Sequence, residues 1–226
     1  YFLFTVYPYG INMKENLSKK LKILFTIPNF DTAGSGKALF NIANNLDKQY
    51  FEPHIACLND KGVFFTVVER SEIPVHILQF TSPMKKRIRG LYNCWKISRQ
   101  MRTINPHLIY SFHYAPDYSE ALAARIAGIP WIFTKKNMNW GGKSKNGWKL
   151  RSALAQHIVI LNTDMNNIFY PSSSKTTLIP RGVDLHEFSI NNHRQISCSD
   201  IGISENSKVI MVVANLTPVK GIEYLI

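Results

Sequence analysis

Short apolar runs alternate along the chain with segments whose apolar residues recur at helical spacing. The runs are rich in β-branched and aromatic residues, and several stop at Pro or Asn, which favours buried strands. They predict seven strands, over residues 22–28, 53–58, 75–80, 108–112, 131–134, 157–161 and 175–179. Helices are predicted between them, over residues 37–46, 63–70, 87–104, 118–127, 148–155 and 163–170. This alternation predicts an α/β fold, a Rossmann-like doubly wound parallel sheet.

The same pattern divides the chain near residue 188. Residues 1–20 form an N-terminal extension, and residues 21–188 predict one Rossmann-like domain. The polar residues 189–206 predict a linker, and residues 207–226 predict one strand, over 208–214, and a helix that begins at Gly221. One strand and a helix start bury too little apolar surface for a core, so we expect a truncated second Rossmann-like domain.

Composition limits the class of protein. The apolar residues 1–12 lack the basic start and the cleavage site of an export signal, and we expect the natural protein to begin at Met13. No run of 18 apolar residues predicts a membrane-spanning helix. Cys57, Cys94 and Cys198 lie too far apart to suggest a disulfide framework or a zinc site, which favours the reducing cytoplasm.

The chain is strongly basic, with 27 Lys plus Arg against 15 Asp plus Glu and a net charge of +12. Such a balance favours an anionic partner. Cations are dense in residues 84–104, where Ile88, Leu91, Trp95 and Met101 fall near one face. A surface helix with a core-facing apolar stripe, a patch for anionic membrane and a nucleic-acid surface all fit this composition. No nucleic-acid module is recognisable, which disfavours the third.

A glycine-containing segment, residues 31–37, follows the first predicted strand and precedes a helix. Gly34, Ser35 and Gly36 are expected in a turn there, where backbone amides at a helix N-terminus could approach a phosphate. The segment departs from the Walker A loop and from the dinucleotide fingerprint. A tight strand-to-helix turn without a ligand is the other interpretation.

His113 follows the fourth predicted strand. Ligands bind beyond the carboxyl ends of the strands of an open parallel sheet, so we expect its imidazole in a crevice, with a near-physiological pKa. A structural hydrogen bond is the alternative for a lone histidine. The histidines at predicted strand starts are interpreted as structural, namely His54, His76, His107 and His157. Lys135 and Lys136 belong to a predicted loop that could cover the site.

Two motifs carry a family resemblance. Residues 178–188, Leu-Ile-Pro-Arg-Gly-Val-Asp-Leu-His-Glu-Phe, resemble the signature that ends the first domain of family 4 glycosyltransferases, with Arg181 where Asn is usual. Residues 213–221 resemble a second motif of that family, in which Lys220 matches and Asn215 replaces an Arg. The chain is thus identified as similar to the amino-terminal, acceptor-side half of a GT-B fold followed by the start of the donor domain.

The resemblance implies a glycosyltransferase. Such an enzyme would transfer a sugar from a nucleotide-sugar donor to an acceptor hydroxyl, in cell-surface polysaccharide or glycolipid synthesis. It implies an acceptor sugar or lipid-linked sugar as the second substrate, no metal or other cofactor, and no nucleic acid. The expected location is cytoplasmic, with residues 84–104 in peripheral contact with the inner face of an anionic membrane.

The resemblance also assigns roles to residues. It implies His113 as the catalytic residue beside the transferred sugar, and it places Gly34, Ser35, Gly36, Asn215 and Lys220 against the donor nucleotide. The family's pair of glutamates spaced by seven residues is absent from these 226 residues, so we expect the chain alone to be inactive. The alternative is a non-catalytic Rossmann-like module that binds a phosphorylated ligand or an anionic membrane surface.

Overall fold

The structure is a computed structural model of the whole chain. It describes residues 19–31, 33–136, 138–139, 145–183, 185, 200, 202–204, 207–214 and 220–225. The chain divides into two compact units, Tyr1–Arg181 and Gly182–Ile226.

The first unit is built on one parallel sheet of seven strands. The strands are β1 (Leu21–Ile27), β2 (Phe51–Cys57), β3 (Val75–Ile77), β4 (Leu108–Ser111), β5 (Trp131–Thr134), β6 (His157–Ile160) and β7 (Thr176–Leu178). Their order across the sheet is β3-β2-β1-β4-β5-β6-β7. The sequence order therefore reverses between β1 and β4, as in a doubly wound fold.

Among the described residues, six α-helices connect the strands. They are α1 (Ala33–Asn44), α2 (Phe65–Glu69), α3 (Arg87–Ile104), α4 (Ser119–Ala127), α5 (Lys145–Leu154) and α6 (Thr163–Phe169). A side-chain cap begins one of these helices, and residues in the left-handed conformation end two others. The Asn162 side chain accepts a hydrogen bond from the Met165 amide and begins α6, whereas Asn105 and Gly128 end α3 and α4 in the left-handed conformation.

The core lies on both faces of the sheet. Successive side chains of a strand point to opposite faces, so Leu24 and Phe25 of β1 enter different clusters. Leu24 packs with Met101 and other residues from α3, α4, α5 and α6, and Phe25 packs with Leu39 and other residues from α1 and α2. Both faces of β1 are buried, which explains why its sequence is apolar except for Lys22 and Thr26.

The predicted order of elements over residues 21–188 is confirmed. Every strand and helix predicted there has a counterpart, and the bounds of α3 and β5 are those predicted. The predicted Rossmann-like doubly wound sheet is also confirmed. The third strand is shorter than predicted and ends at Ile77, because Phe80 leaves the sheet to pack in the core.

The predicted turn over residues 31–36 is wrong, because α1 begins at Ala33 and includes Gly34, Ser35 and Gly36. The reason is packing against Phe30, which is buried under the helix start. A Cβ atom added at Gly36 would lie 2.8 Å from Cδ1 of Phe30. Glycine at this position therefore allows the first turn of the helix to lie directly on that ring.

The predicted core-facing stripe of α3 is also wrong. The residues that α3 buries include Gly90, Cys94, Ile97 and Met101, which share one face at helical spacing. Of the four stripe residues only Met101 is among them, whereas Ile88 is 87% exposed and Leu91 and Trp95 are about half exposed. The helix thus has a second apolar face, directed to solvent.

In the second unit, the strand predicted over residues 208–214 does not form among the described residues. A strand needs a neighbour for its backbone hydrogen bonds, and no described residue pairs with this segment. Val209 to Val213 are exposed. A 3-10 helix, Ile222–Tyr224, follows Gly221, where a helix start was predicted. The boundaries predicted for the linker and the second domain remain predictions.

Candidate active site

The candidate site lies at the carboxyl ends of β1 and β4, the two neighbouring strands between which the strand order reverses. Segments that leave a sheet there run to opposite faces, and ligands bind in the crevice beyond the carboxyl ends. The segment after β1 enters α1 on one face, and the segment after β4, residues 112–118, enters α4 on the other. His113 lies on the second of these segments, as predicted.

A buried carboxylate joins the two central strands. Glu120 of α4 is fully buried. The hydroxyl groups of Thr26 in β1 and Ser111 in β4 each donate a hydrogen bond to one of its oxygens, the Ser111 bond at 2.7 Å. Burial raises the pKa of Glu120, and the charge of Arg151 and the hydroxyl donors oppose that rise.

Arg151 of α5 holds the segment after β4 in place. Its guanidinium donates to the backbone oxygen of Asp117 at 2.7 Å and to that of His113 at 2.9 Å. It also donates to the Ser111 hydroxyl at 3.1 Å, so Ser111 bridges the buried cation and the buried carboxylate. The guanidinium carbon lies 4.7 Å from the ring centroid of Trp131, a cation–π distance. Arg151 therefore positions the backbone that carries His113.

The imidazole of His113 is held in its neutral form. Burial, together with the charges of Arg151 and Lys136, lowers its pKa to about 3. The expectation of a near-physiological pKa is therefore wrong, because the sequence did not show the two cations or the burial. Its Nδ1 is buried and has no hydrogen-bond partner among the described residues. A neutral imidazole at this position can orient a ligand by hydrogen bonding, but it does not supply positive charge near neutral pH.

Two lysines follow β5. Lys135 is fully buried, and its ammonium group lies 4.1 Å from the ring centroid of Phe169 and donates to the backbone oxygen of Asn139. Burial lowers the pKa of Lys135 to about 8. Lys136 donates to the backbone oxygen of Phe112, in the segment after β4. Burial and the charges of Arg181 and Arg151 lower its pKa to about 7.

The predicted glycine segment occupies the neighbouring strand end. Gly34 is exposed, Ser35 is partly buried and Gly36 is buried, all in the first part of α1. They lie beyond the carboxyl end of β1, beside the strand that precedes His113. No hydrogen bond of the described residues joins them to His113. Their assignment to the donor nucleotide remains a prediction.

The remaining predicted site residues belong to the second unit. Asn215 lies outside the described residues. Lys220 is described and is exposed, two residues before the 3-10 helix. Their proposed contact with the donor nucleotide stays a prediction.

The other described histidines have protein partners. His54 contacts Glu52 and His76, each at 2.8 Å. The Nδ1 atom of His107 accepts from the Lys22 amide at 2.9 Å, and His157 lies 2.6 Å from the Thr177 hydroxyl. These contacts agree with structural roles.

Sequence reasoning missed Glu120 and Arg151, and it treated Lys136 only as part of a loop. A signal for Glu120 was its position in an alanine-rich helix, three and four residues before the buried Ala123 and Ala124. A charged group on the core-facing side of a helix must have a buried partner. No comparable signal in the sequence identifies Arg151 as that partner.

No cluster of three or more His, Cys, Asp or Glu side chains is arranged to hold a metal ion in the described part of the chain. The expectation of a metal-independent reaction stays a prediction. None of the described helices is both long enough and apolar enough to cross a membrane.

The first unit is a Rossmann-like α/β domain, because its parallel sheet reverses strand order between β1 and β4. Domains of this type bind ligands at the carboxyl edge of the sheet, where the charged side chains described above lie. The chain belongs to Glycosyltransferase Family 4, whose model matches residues 32–187. This match confirms the family resemblance derived from the two motifs. No curated protein sequence matches the chain.

Solved structures with the same fold include three glycosyltransferase-related proteins. A glycosyltransferase from Rickettsia africae has a TM-score of 0.60 and 17% identity, over 83% of this chain and 51% of that one. MurG from Acinetobacter baumannii has a TM-score of 0.54 and 16% identity, over 73% and 46%. Anabaena HepE in complex with UDP and glucose has a TM-score of 0.56 and 18% identity, over 74% and 46%. These similarities confirm the fold of an amino-terminal GT-B domain.

The chain spans about half the length of the structures it matches, between 46% and 51% for the three.

Proposed function

We propose that the first unit is the acceptor-side domain of a glycosyltransferase that moves a sugar from a nucleotide-sugar donor to an acceptor hydroxyl. The family match over residues 32–187 is the observation that carries this proposal. The complexes of HepE with UDP and with UDP-glucose support a nucleotide sugar as the donor. Cell-surface polysaccharide or glycolipid synthesis is the proposed setting, with an acceptor sugar or lipid-linked sugar.

In this proposal His113 acts beside the transferred sugar as a neutral hydrogen-bonding group. The low pKa of His113 and its partial exposure support a role in orienting a sugar hydroxyl rather than in supplying charge. The N-terminus of α1, with Gly34, Ser35 and Gly36, would face the donor diphosphate, where helix amides favour negative charge. The family resemblance alone supports a contact of Lys220 and Asn215 with the donor nucleotide. The reaction would need no metal ion.

The test is sugar transfer by protein that carries these 226 residues together with any sequence that follows them in the gene. His113→Gln removes the imidazole. His107→Gln is the matched control, because its ring is exposed and, within the described part of the chain, hydrogen-bonds only the Lys22 amide. We expect roughly a 10²-fold loss of kcat for the first variant, the usual effect of losing one oriented donor. Equal activity of the two variants would contradict the proposed role.

The same assay on the 226-residue chain alone tests our expectation that it is inactive. Binding of nucleotide sugars without turnover would favour the alternative of a non-catalytic Rossmann-like module. Transfer by that chain would show that the expectation of inactivity is wrong, while the proposed reaction would stand.

We also propose that α3 docks the protein on an anionic membrane, at the cytoplasmic face. The helix contains no Asp or Glu. Ile88 is 87% exposed and Tyr92 is 53% exposed, and the Tyr92 and Trp95 rings stack at 6.0 Å. Cations flank this apolar face, with Lys96 over Tyr92 and Arg99 over Trp95. An exposed apolar face bordered only by cations is typical of helices that lie in a bilayer interface.

Vesicle binding tests the docking proposal. Each Lys or Arg near an anionic surface contributes about 1 kcal/mol. Arg87→Gln with Arg89→Gln and Lys96→Gln should therefore weaken binding to phosphatidylglycerol vesicles by more than 10-fold. The matched control removes three exposed cations elsewhere, Lys48→Gln with Lys61→Gln and Lys149→Gln. Equal loss in both triple variants would indicate diffuse attraction and reject α3 as the docking face.

A further inference from the structure

The segment after β4 is held by cations at its backbone oxygens. Lys136 donates to the oxygen of Phe112. Arg151 donates to the oxygens of His113 and Asp117, at 2.9 Å and 2.7 Å. A hydrogen bond from a charged donor is roughly twice as strong as one between neutral groups. Two successive carbonyl groups, that of Phe112 and that of His113, therefore each accept from a charged donor.

Only one of these two cations changes its charge near neutral pH. Arg151 is fully buried and stays charged, and the charges of Glu120 and Asp117 favour that form. Lys136 is partly exposed and takes part in none of the salt bridges of the described residues. Burial and the charges of Arg181 and Arg151 lower its pKa to about 7. The hydrogen bond that Lys136 donates therefore weakens as pH rises through this value, whereas those of Arg151 do not.

The position of the His113 ring depends on the backbone that carries it. The His113 amide donates to the Ser111 hydroxyl at 3.3 Å, and the ring meets Phe80 edge-on, with centroids 6.2 Å apart. Within the described part of the chain, Nδ1 of the ring has no hydrogen-bond partner. Because a peptide group is planar, rotation of the Phe112 carbonyl turns the His113 amide with it. The orientation of the imidazole therefore follows the Phe112 carbonyl.

We propose that Lys136 is a positioning residue for sugar transfer, whose ammonium group holds the Phe112 carbonyl and thereby sets the orientation of His113. The proposal rests on the proposed function, in which His113 orients a sugar hydroxyl. It adds a pH dependence. Lys136 is charged below pH 7 and neutral above it, so transfer should slow as pH rises through about 7. His113 is neutral throughout this range, so its own titration does not contribute.

Kinetics of sugar transfer between about pH 5.5 and 9 test this role. The protein carries these 226 residues together with any sequence that follows them in the gene. Lys136→Met keeps an aliphatic side chain without the donor, and Lys136→Arg keeps a charged donor at every pH in this range. Lys149→Met, which removes an exposed cation from α5, is the matched control.

We expect kcat of the unmodified protein to fall as pH rises through about 7. At pH 6 Lys136→Met should lose about 10-fold in kcat, the effect of one lost hydrogen bond from a charged donor, with little change in KM. Lys136→Arg should keep its kcat at pH 8, and Lys149→Met should behave as the unmodified protein. Thermal melting of each variant shows whether it is folded at the assay temperature.

A double variant separates positioning from direct contact with the substrate. If Lys136 acts only through His113, Lys136→Met should change kcat by less than about 2-fold once His113→Gln is present, because the group to be positioned is gone. The same loss in both backgrounds would overturn the proposal. A rise in KM with unchanged kcat in Lys136→Met would also overturn it, as would a fall of kcat near pH 7 that persists in a folded Lys136→Arg.

Hydrogen–deuterium exchange of the 226-residue chain gives a readout independent of turnover. At pH 6 Lys136→Met should speed exchange of the backbone amides in residues 113–118 by about 10-fold, whereas Lys149→Met should leave it unchanged. At pH 9 the unmodified chain and Lys136→Met should differ less. This pattern in a protein without transferase activity would keep the contact and refute the proposed function. An active transferase without the pattern would refute only the role of Lys136.

Discussion

Replacing Glu120 by Gln should destabilise the first unit strongly although the side chain keeps its size. The carboxylate accepts hydrogen bonds from Thr26 and Ser111 and lies in the same buried network as Arg151. Glutamine would remove the negative charge that offsets the buried guanidinium. It would also turn one acceptor into a donor that faces a hydroxyl group.

The expected magnitude follows from this geometry. Leaving a buried polar group without its hydrogen-bond partner costs about 1–3 kcal/mol, and more where a charged group is involved. We expect about 3 kcal/mol, because the substitution disturbs two hydrogen bonds to a fully buried group, whereas Arg151 keeps two backbone acceptors. For a domain of this size each kcal/mol shifts Tm by about 2–4 °C, so the variant should melt roughly 6–12 °C lower.

Urea and thermal unfolding followed by circular dichroism measure the effect. Glu69→Gln is the matched control, since Glu69 is exposed at the end of α2, and it should change the free energy of unfolding by less than about 0.5 kcal/mol. The double variant Glu120→Gln with Arg151→Met should be less destabilised than the sum of the single changes, by about 1 kcal/mol or more. Stability of Glu120→Gln equal to that of Glu69→Gln would refute the buried network.

Three further outcomes are expected. The lowered pKa of His113 means that the unfolded state takes up a proton before the folded state does, so the free energy of unfolding falls as pH drops from about 6.5 towards 3. The His113→Gln variant should lose less stability between pH 7 and 4 than the unmodified chain. An unchanged pH dependence would argue against the buried neutral imidazole. The lowered pKa of Lys136 means that the folded state releases its proton before the unfolded state does, so the free energy of unfolding rises with pH between about 7 and 10. The Lys136→Met variant should flatten that rise in urea titrations at several pH values. An equal rise in both proteins would contradict the lowered pKa. Gly36→Ala should destabilise the first unit by about 1–3 kcal/mol, because the added methyl group would contact Phe30. Gly34→Ala, whose added methyl group meets nothing within 4 Å, should stabilise it by about 0.5 kcal/mol. Denaturant unfolding distinguishes the two variants, and equal effects would count against the packing of α1 on Phe30.

The order of strands and helices could be predicted from sequence because each element carries its own periodicity. The buried positions of β1 are apolar except for Thr26, and the longest described helix, α3, ends at the Asn105–Pro106 pair. The end of a strand or helix was harder to place where tertiary packing decides it. Helix α1 extends back to Ala33 because Phe30 supports its first turn, and Phe30 is held there by ring contacts with Phe64 and Phe65, which are distant in sequence.

The candidate site could be predicted only in part. His113 was found because it follows a predicted strand, and the position of a strand end is a local property. The protonation state of His113 could not be predicted, because it depends on burial and on the charges of Arg151 and Lys136, both distant in sequence. The buried pair of Glu120 and Arg151 is similarly non-local, because α4 and α5 bring it together. The two faces of α3 illustrate the same limit: the sequence contains both apolar sets, and only packing shows that Met101 is inside and Ile88 outside.

The central claim is that this chain supplies the acceptor side of a nucleotide-sugar glycosyltransferase. The most direct measurement is mass-spectrometric detection of the sugar on an acceptor, with nucleotide diphosphate release, when protein carrying these residues is given a panel of nucleotide sugars and of sugar or lipid-linked sugar acceptors. We predict equimolar formation of the glycosylated acceptor and the nucleotide diphosphate, and a large loss of both with His113→Gln. Nucleotide sugars that are bound but returned unchanged, or converted without any transfer to an acceptor, would contradict the claim.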